Sequence, residues 1–243
     1  MKKHKMKKLA LIIPVCVLAV LAAGFLLYVN RYYHADLAAL SALESDETVS
    51  VTKTDYGWFF DGPSGSDALI FYPGAKVEET AYAPLLNLLA RDGMDVCLVK
   101  MPFRLAFFGM NKADDLLSRY DYDDWYIGGH SLGGAMAAVY AADKGDQLTG
   151  VVLLAAYPTK QLDDDLAVIT IYGSEDKVLN MKKLEEGGQF LPPAAVSCMI
   201  EGGNHAQFGN YGPQSGDGEA AISAEEQQSR TEEIILHNIL SGN

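Results

Sequence analysis

The chain has 243 residues, of which 49% are apolar and 21% charged, a composition that excludes a disordered or fibrous protein and suits one sizeable α/β domain. Acidic residues outnumber basic ones 32 to 19. Five of the basic ones are lysines within the first eight residues, so the remainder carries 14 against 32, a formal charge of −18 that excludes nucleic-acid binding as a main role.

In chain order, residues 1–8 form a basic tail and Leu9 to Val29 an uninterrupted apolar run. As a helix that run spans about 30 Å, the thickness of a hydrocarbon core, and Pro14 near its start is tolerated in a membrane helix. The rival reading is a cleaved signal peptide, because Ala22, Ala23 and Gly24 loosely resemble a cleavage site. The length of the run favours a transmembrane anchor. Pro14 and Val15 make Cys16 a poor lipoprotein site. Lysines precede the run and little more than Arg31 follows it. The expectation is therefore a single-pass protein of the cell membrane, its folded domain on the extracytoplasmic side. Tyr28, Tyr32 and Tyr33 would sit at the outer interface. Residues 30–48 read as a stalk, and residues 49–243 as the folded domain.

Within that domain short β-type runs alternate with helical patterns. Strands are expected at Val49–Thr54, Gly57–Asp61, Ala68–Tyr72, Asp95–Lys100, Trp125–Gly128, Val151–Ala155, Val168–Tyr172 and Val196–Ile200. Helices are expected at Ala83–Arg91, Asn111–Arg119, Leu132–Lys144, Lys177–Glu186 and Ser223–Leu240. Two strands joined by a tight turn and followed by β-α repeats predict a mostly parallel, twisted sheet with helices on both faces. The run Val151 to Ala156 suits a strand buried on both sides. Three cysteines cannot build a disulfide framework, and no Cys/His cluster suggests a metal.

The chemistry centres on Gly129-His130-Ser131-Leu132-Gly133, between a strand and a helix rich in small residues. A nucleophile elbow needs that arrangement, because its serine sits in a strained turn where strand and helix backbones nearly touch. A serine hydroxyl needs a base. Of five histidines, His4 lies in the tail, His34 in the stalk, His130 beside the nucleophile and His237 in the last amphipathic helix. His205 follows the last strand through Glu201-Gly202-Gly203-Asn204, at the sheet edge where active sites collect, and is the expected base. The acid that orients it is expected at Asp176, beyond the strand ending at Tyr172; Glu175 is its near rival, and Asp163, Asp164 and Asp165 read as a solvated loop. The oxyanion needs backbone N–H donors, expected from Leu132 and from Ala75 in Pro73-Gly74-Ala75-Lys76, with Lys76 as the alternate.

These residues resemble the α/β-hydrolase superfamily over about Val49 to Asn243. The matching segments are Gly129-His130-Ser131-Leu132-Gly133-Gly134, Tyr172-Gly173-Ser174-Glu175-Asp176 and Gly202-Gly203-Asn204-His205. The nearest likeness is to small dienelactone-hydrolase-like bacterial members, with Asn204 to Gly212 resembling the signature of one branch. Dienelactone hydrolases carry cysteine where this chain has Ser131, and the usual His-Gly before the oxyanion residue is Pro73-Gly74 here.

The expected protein is thus a membrane-anchored serine hydrolase acting on small carboxylic esters and needing no cofactor. Two alternatives use the same scaffold: an acyltransferase with the same triad, and a non-catalytic, membrane-tethered binding module. Phe103 to Phe108 follows a strand on the active-site edge, where it would line an acyl pocket, act as a lid or dip toward a membrane, or else pack as a loop that covers core. Asp217 and Glu219 lack an EF-hand pattern and read as solvated loop residues rather than calcium ligands. The connection from Tyr157 to Ala167 is too short and polar for a cap, which predicts a preference for short acyl chains.

Overall fold

The structure, a computed structural model, describes residues 2–63 and 65–240; the side chains of residues 2–12 and 240 lie outside that description. The chain divides into two compact units, Met1–Tyr32 and Tyr33–Asn243. The first is a helix, α1 (Lys2–Val29). Among the described residues no helix is long and apolar enough to cross a membrane. The expected anchor over residues 9–29 begins outside the described side chains. Its described part, Ile13 to Val29, is shorter than the ~20 apolar residues that a bilayer core requires.

In the second unit, Tyr33 forms a parallel bridge with Val77, and a short helix α2 (Leu37–Ser41) is capped by Asp36, whose side chain accepts from the Ala39 amide. Ala39 is fully buried and Tyr33, Ala35, Ala42 and Leu43 pack against the domain core, so of residues 30–48, expected as a stalk, residues 33–43 pack on the domain. Eight strands follow: β1 (Ser50–Lys53), β2 (Gly57–Asp61), β3 (Asp67–Tyr72), β4 (Met94–Val99), β5 (Asp124–His130), β6 (Gly150–Leu154), β7 (Ala167–Gly173) and β8 (Val196–Ile200). They form one sheet in the order β1-β2-β4-β3-β5-β6-β7-β8. The first two strands run antiparallel to their neighbours and all later pairings are parallel.

The helices are α3 (Ala83–Arg91), α4 (Ala113–Arg119), α5 (Leu132–Lys144), α6 (Met181–Gly187) and α7 (Ala224–Leu240). Successive strand residues point to opposite faces, and two cores follow from that alternation. Leu69 and Phe71 of β3 join Leu85, Leu86 and Leu89 of α3 and Ile235 and Ile239 of α7. Ala68, Ile70 and Tyr72 of the same strand join Ala137, Ala138 and Ala141 of α5 and Leu116 of α4. Both faces are therefore covered, which is why β3, β4 and β6 read as continuous apolar runs. No cap is inserted between β6 and β7, where residues 155–166 form an irregular connection. Because β5 to β8 are parallel, the loops that leave their C-terminal ends gather on one edge of the sheet.

Candidate active site

Ser131 is the single residue between β5 and α5, with φ 53° and ψ −121°. A non-glycine residue held at such angles costs ~1–3 kcal/mol and persists only where its surroundings impose it. The Ser131 amide donates to the Leu154 carbonyl at 2.8 Å, and the Ala135 amide to the Ser131 carbonyl at 2.9 Å. The turn also depends on close approach. A Cβ on Gly129 would lie 2.3 Å from the Tyr72 carbonyl oxygen, and one on Gly133 would lie 2.0 Å from it. Strand β3, the elbow and the first turn of α5 are therefore in backbone contact.

The loops after β7 and β8 are joined edge to edge. The Ser174 amide donates to the Ile200 carbonyl at 3.0 Å, the Glu175 amide to the Gly203 carbonyl at 2.8 Å, and the Gly202 amide to Ser174 Oγ at 2.9 Å. This joint brings His205 Nδ1 within 2.8 Å of Asp176 Oδ2, with both side chains buried. The other oxygen of Asp176 accepts from the Val178 and Leu179 amides, each at 2.8 Å. Glu175, the rival acid, accepts instead from Ser174 Oγ. Asp163, Asp164 and Asp165 are exposed.

The loop carrying His205 is held from both sides. Gln227 of α7 exchanges two hydrogen bonds with the backbone of Asn204, and Asp217 Oδ2 accepts from the Ala206 amide at 2.8 Å. Asp217 Oδ1 accepts from the Lys177 and Gly218 amides, so this carboxylate orders backbone. Among the described residues no group of three or more His, Cys, Asp and Glu could hold a metal ion.

Ser131 and His205 line one cleft of about 320 Å³, with Leu132, Tyr157 and Leu179 among its walls. The Leu132 and Ala75 amides donate to no group among the described residues. Lys76, the alternate to Ala75, donates its amide to the Arg104 carbonyl at 2.9 Å. Leu132 lines the cleft and Ala75 does not. Phe103, Phe107 and Phe108 are about half exposed, and none of them lines the cleft; Phe108 packs against both of the others, at ring distances of 5.6 and 4.1 Å.

One neighbour of the site escaped the sequence reading. His130, at the end of a strand buried on both faces, is itself buried and packs its ring 4.5 Å from that of His205. Its Nδ1 lies 2.8 Å from the Tyr82 hydroxyl, which accepts from the Gly74 amide at 3.0 Å. Burial, seconded by the charge of His205, pushes this imidazole well below its usual range and keeps it neutral; the backbone of His205 works weakly the other way. A polar ring in a fully buried strand must find a partner, and that was the available signal. Two other histidines do not converge here, His34 lying beside Glu78 and His237 being exposed on α7, while the side chain of His4 lies outside the described residues.

A family profile described as the alpha/beta hydrolase family matches residues 68–229. No curated protein matches the chain. Solved structures similar to it include a predicted CIB-like hydrolase from Thermoplasma acidophilum (14% identity, TM-score 0.57, covering 77% of this chain and 98% of that one). Others are carboxylesterase CesB from Bacillus subtilis (11%, 0.55, 85% and 95%) and a dienelactone hydrolase from Anabaena variabilis (13%, 0.53, 80% and 98%). At such identities the likeness is one of fold. With the profile spanning most of the domain, from β3 into α7, the chain belongs to the alpha/beta hydrolase family.

Proposed function

We propose that the protein is a serine hydrolase that cleaves small carboxylic esters through an acyl-enzyme on Ser131. The observation that carries this reading is a strained serine at the elbow, sharing a cleft with a histidine that a buried carboxylate holds at 2.8 Å. With Nδ1–H donated to Asp176, His205 presents the lone pair of Nε2 as a base. It takes the Ser131 proton as Oγ attacks the ester carbonyl. The Leu132 amide, on the cleft wall, receives the oxyanion, and the Ala75 amide is the expected second donor. His205 then protonates the departing alkoxide. Water, deprotonated by His205, next attacks the acyl-enzyme and releases the carboxylic acid and Ser131. No step needs a cofactor.

Carboxylesterases and a dienelactone hydrolase among the similar folds agree with this chemistry, and Ser131 in place of cysteine favours ordinary esters. Replacing Ser131 with Ala should abolish both esterase activity and labelling by a fluorophosphonate probe, with Tm within a few degrees of the parent. Ester hydrolysis at the parental rate by that variant would remove Ser131 from the mechanism.

The reading also takes residues 9–29 as a signal anchor, with the catalytic domain on the extracytoplasmic face; length, hydropathy and the lysines before the run support it. The full chain should then sediment with membranes and expose its domain to external protease. A soluble secreted form beginning after Ala22 or Ala23 would replace the anchor with a cleaved signal.

A further inference from the structure

A second cavity, of about 560 Å³, adjoins the cleft and lies in the size range of small-molecule sites. Two stretches of chain run from one into the other. Tyr157 lines both; Asn180 lines the cleft, and the next residue, Met181, lines the cavity. A group attached to an ester at Ser131 would therefore pass Tyr157, the side chain common to both, to reach the cavity.

The chemistry of this cavity is specific. Leu184, Leu191 and Pro158 make its sides apolar. At its floor Thr170 of β7 is 1% exposed, and its hydroxyl has no hydrogen-bond partner among the described residues. A buried hydroxyl left unpaired is costly, and Val would fill the same space without that cost. The register pairs Thr170 with Ser197 of β8, which also lines the cavity and adds a second hydroxyl. Lys182 and Glu185, one of each sign, stand at its edge, so no net charge selects an ionic occupant.

We propose that this cavity is a substrate subsite for one arm of the ester: an extended, neutral, mostly apolar arm of arylalkyl kind, bearing at its far end a hydrogen-bonding group that meets Thr170 and Ser197. The proposal rests on the serine-hydrolase reading and names its substrate class. The arm belongs to either the acyl or the alcohol side, and the substrates chosen below distinguish them.

On the full chain, kcat/KM is measured for p-nitrophenyl acetate, 3-phenylpropanoate and 3-(4-hydroxyphenyl)propanoate, which vary the acyl side. Ethyl acetate, 2-phenylethyl acetate and 2-(4-hydroxyphenyl)ethyl acetate vary the alcohol side. In one series the aryl ester should exceed its small counterpart by about tenfold or more. Leu184→Trp, at a partly buried helix position, should erase that advantage while p-nitrophenyl acetate stays within about twofold, which also reports that the variant is folded. Thr170→Val should lower only the preference for the hydroxylated arm over the plain one, by about fivefold. No aryl advantage in either series, or one indifferent to Leu184→Trp while acetate hydrolysis still needs Ser131, overturns the subsite alone. Acetate hydrolysis that survives Ser131→Ala overturns the catalytic reading, and the subsite with it.

Discussion

Asp176 commits both of its carboxylate oxygens before any substrate arrives, one to His205 and one to two backbone amides. An Asn in its place keeps the shape but can turn an NH₂ toward Nδ1, which selects the tautomer whose Nε2 carries the proton. We expect Asp176→Asn to lower kcat by about 10⁴ with Tm nearly unchanged, measured on p-nitrophenyl acetate and by calorimetry. A loss below tenfold would exclude Asp176 as the orienting acid. The Tyr82 hydroxyl works further back, bridging the Gly74 amide and His130 Nδ1 in a buried site. Tyr82→Phe leaves both without that partner and should cost about 1–3 kcal/mol in denaturant unfolding. It should also lower kcat more than it changes KM, because Gly74 adjoins the expected oxyanion donor. A stability loss with kcat untouched would make Tyr82 purely structural. Ser131, Asp176 and His205 were legible because each follows a strand at the same sheet edge, and that order can be read from one sequence. The packing of His130 against His205 was not, since it joins the end of β5 to the loop after β8, which meet only when the sheet forms.

At the scale of elements, strand and helix positions were legible almost residue by residue where period and turn residues agreed. One helix departs further from its expected bounds. Helix α6 begins at Met181 rather than Lys177, because the residues before it close the Asp176 turn and Asn180 supplies the N-cap. Its sequence reads as polar, yet Leu184 faces a cavity that Tyr157 and Pro158 also line, so apolar wall comes from α6 as well as from the start of the β6–β7 connection. The expectation of short acyl chains rested on the polar part of that connection, with a lid from Phe103 to Phe108 as what would overturn it, and those rings line neither the cleft nor the cavity. Helix α7 carries a liability of its own. Glu232 is largely buried, and that burial, with Asp92 beyond the end of α3 and Glu233 beside it, pushes its carboxyl up to about 7. The folded pKa lies above the unfolded value, so the protonated form contributes stability below the ordinary carboxylate range. That contribution is lost as pH rises through about 7. Glu232→Gln should therefore raise Tm by roughly 1–3 °C at pH 8 and leave it unchanged at pH 4. An equal shift at both pH values would locate the effect in packing rather than in charge.

At the scale of the whole molecule, the dominant quantity is charge. Beyond the first eight residues the chain carries 32 acidic side chains against 14 basic ones. Cations close to the site do not offset this. Lys177 lies 3.9 Å from Glu175 on the acid loop, and Lys182 lies 3.7 Å from Glu186 on α6. An ester with its own carboxylate must approach against that field, whereas a neutral ester feels none of it. Salt shortens the reach of the field, to about 10 Å at 0.1 M, so the penalty should be largest in dilute buffer. For p-nitrophenyl hemisuccinate we expect kcat/KM, relative to p-nitrophenyl acetate, to rise by about threefold or more between 10 mM and 500 mM NaCl. The acetate itself should stay level across that range. The increase should appear chiefly in KM, because the field opposes encounter and not the attack of Ser131 on a carbonyl already bound. A ratio that stays flat would mean that the cleft is locally neutral despite the surrounding charge, and a ratio that falls would mean that a cation in the site recruits anionic esters.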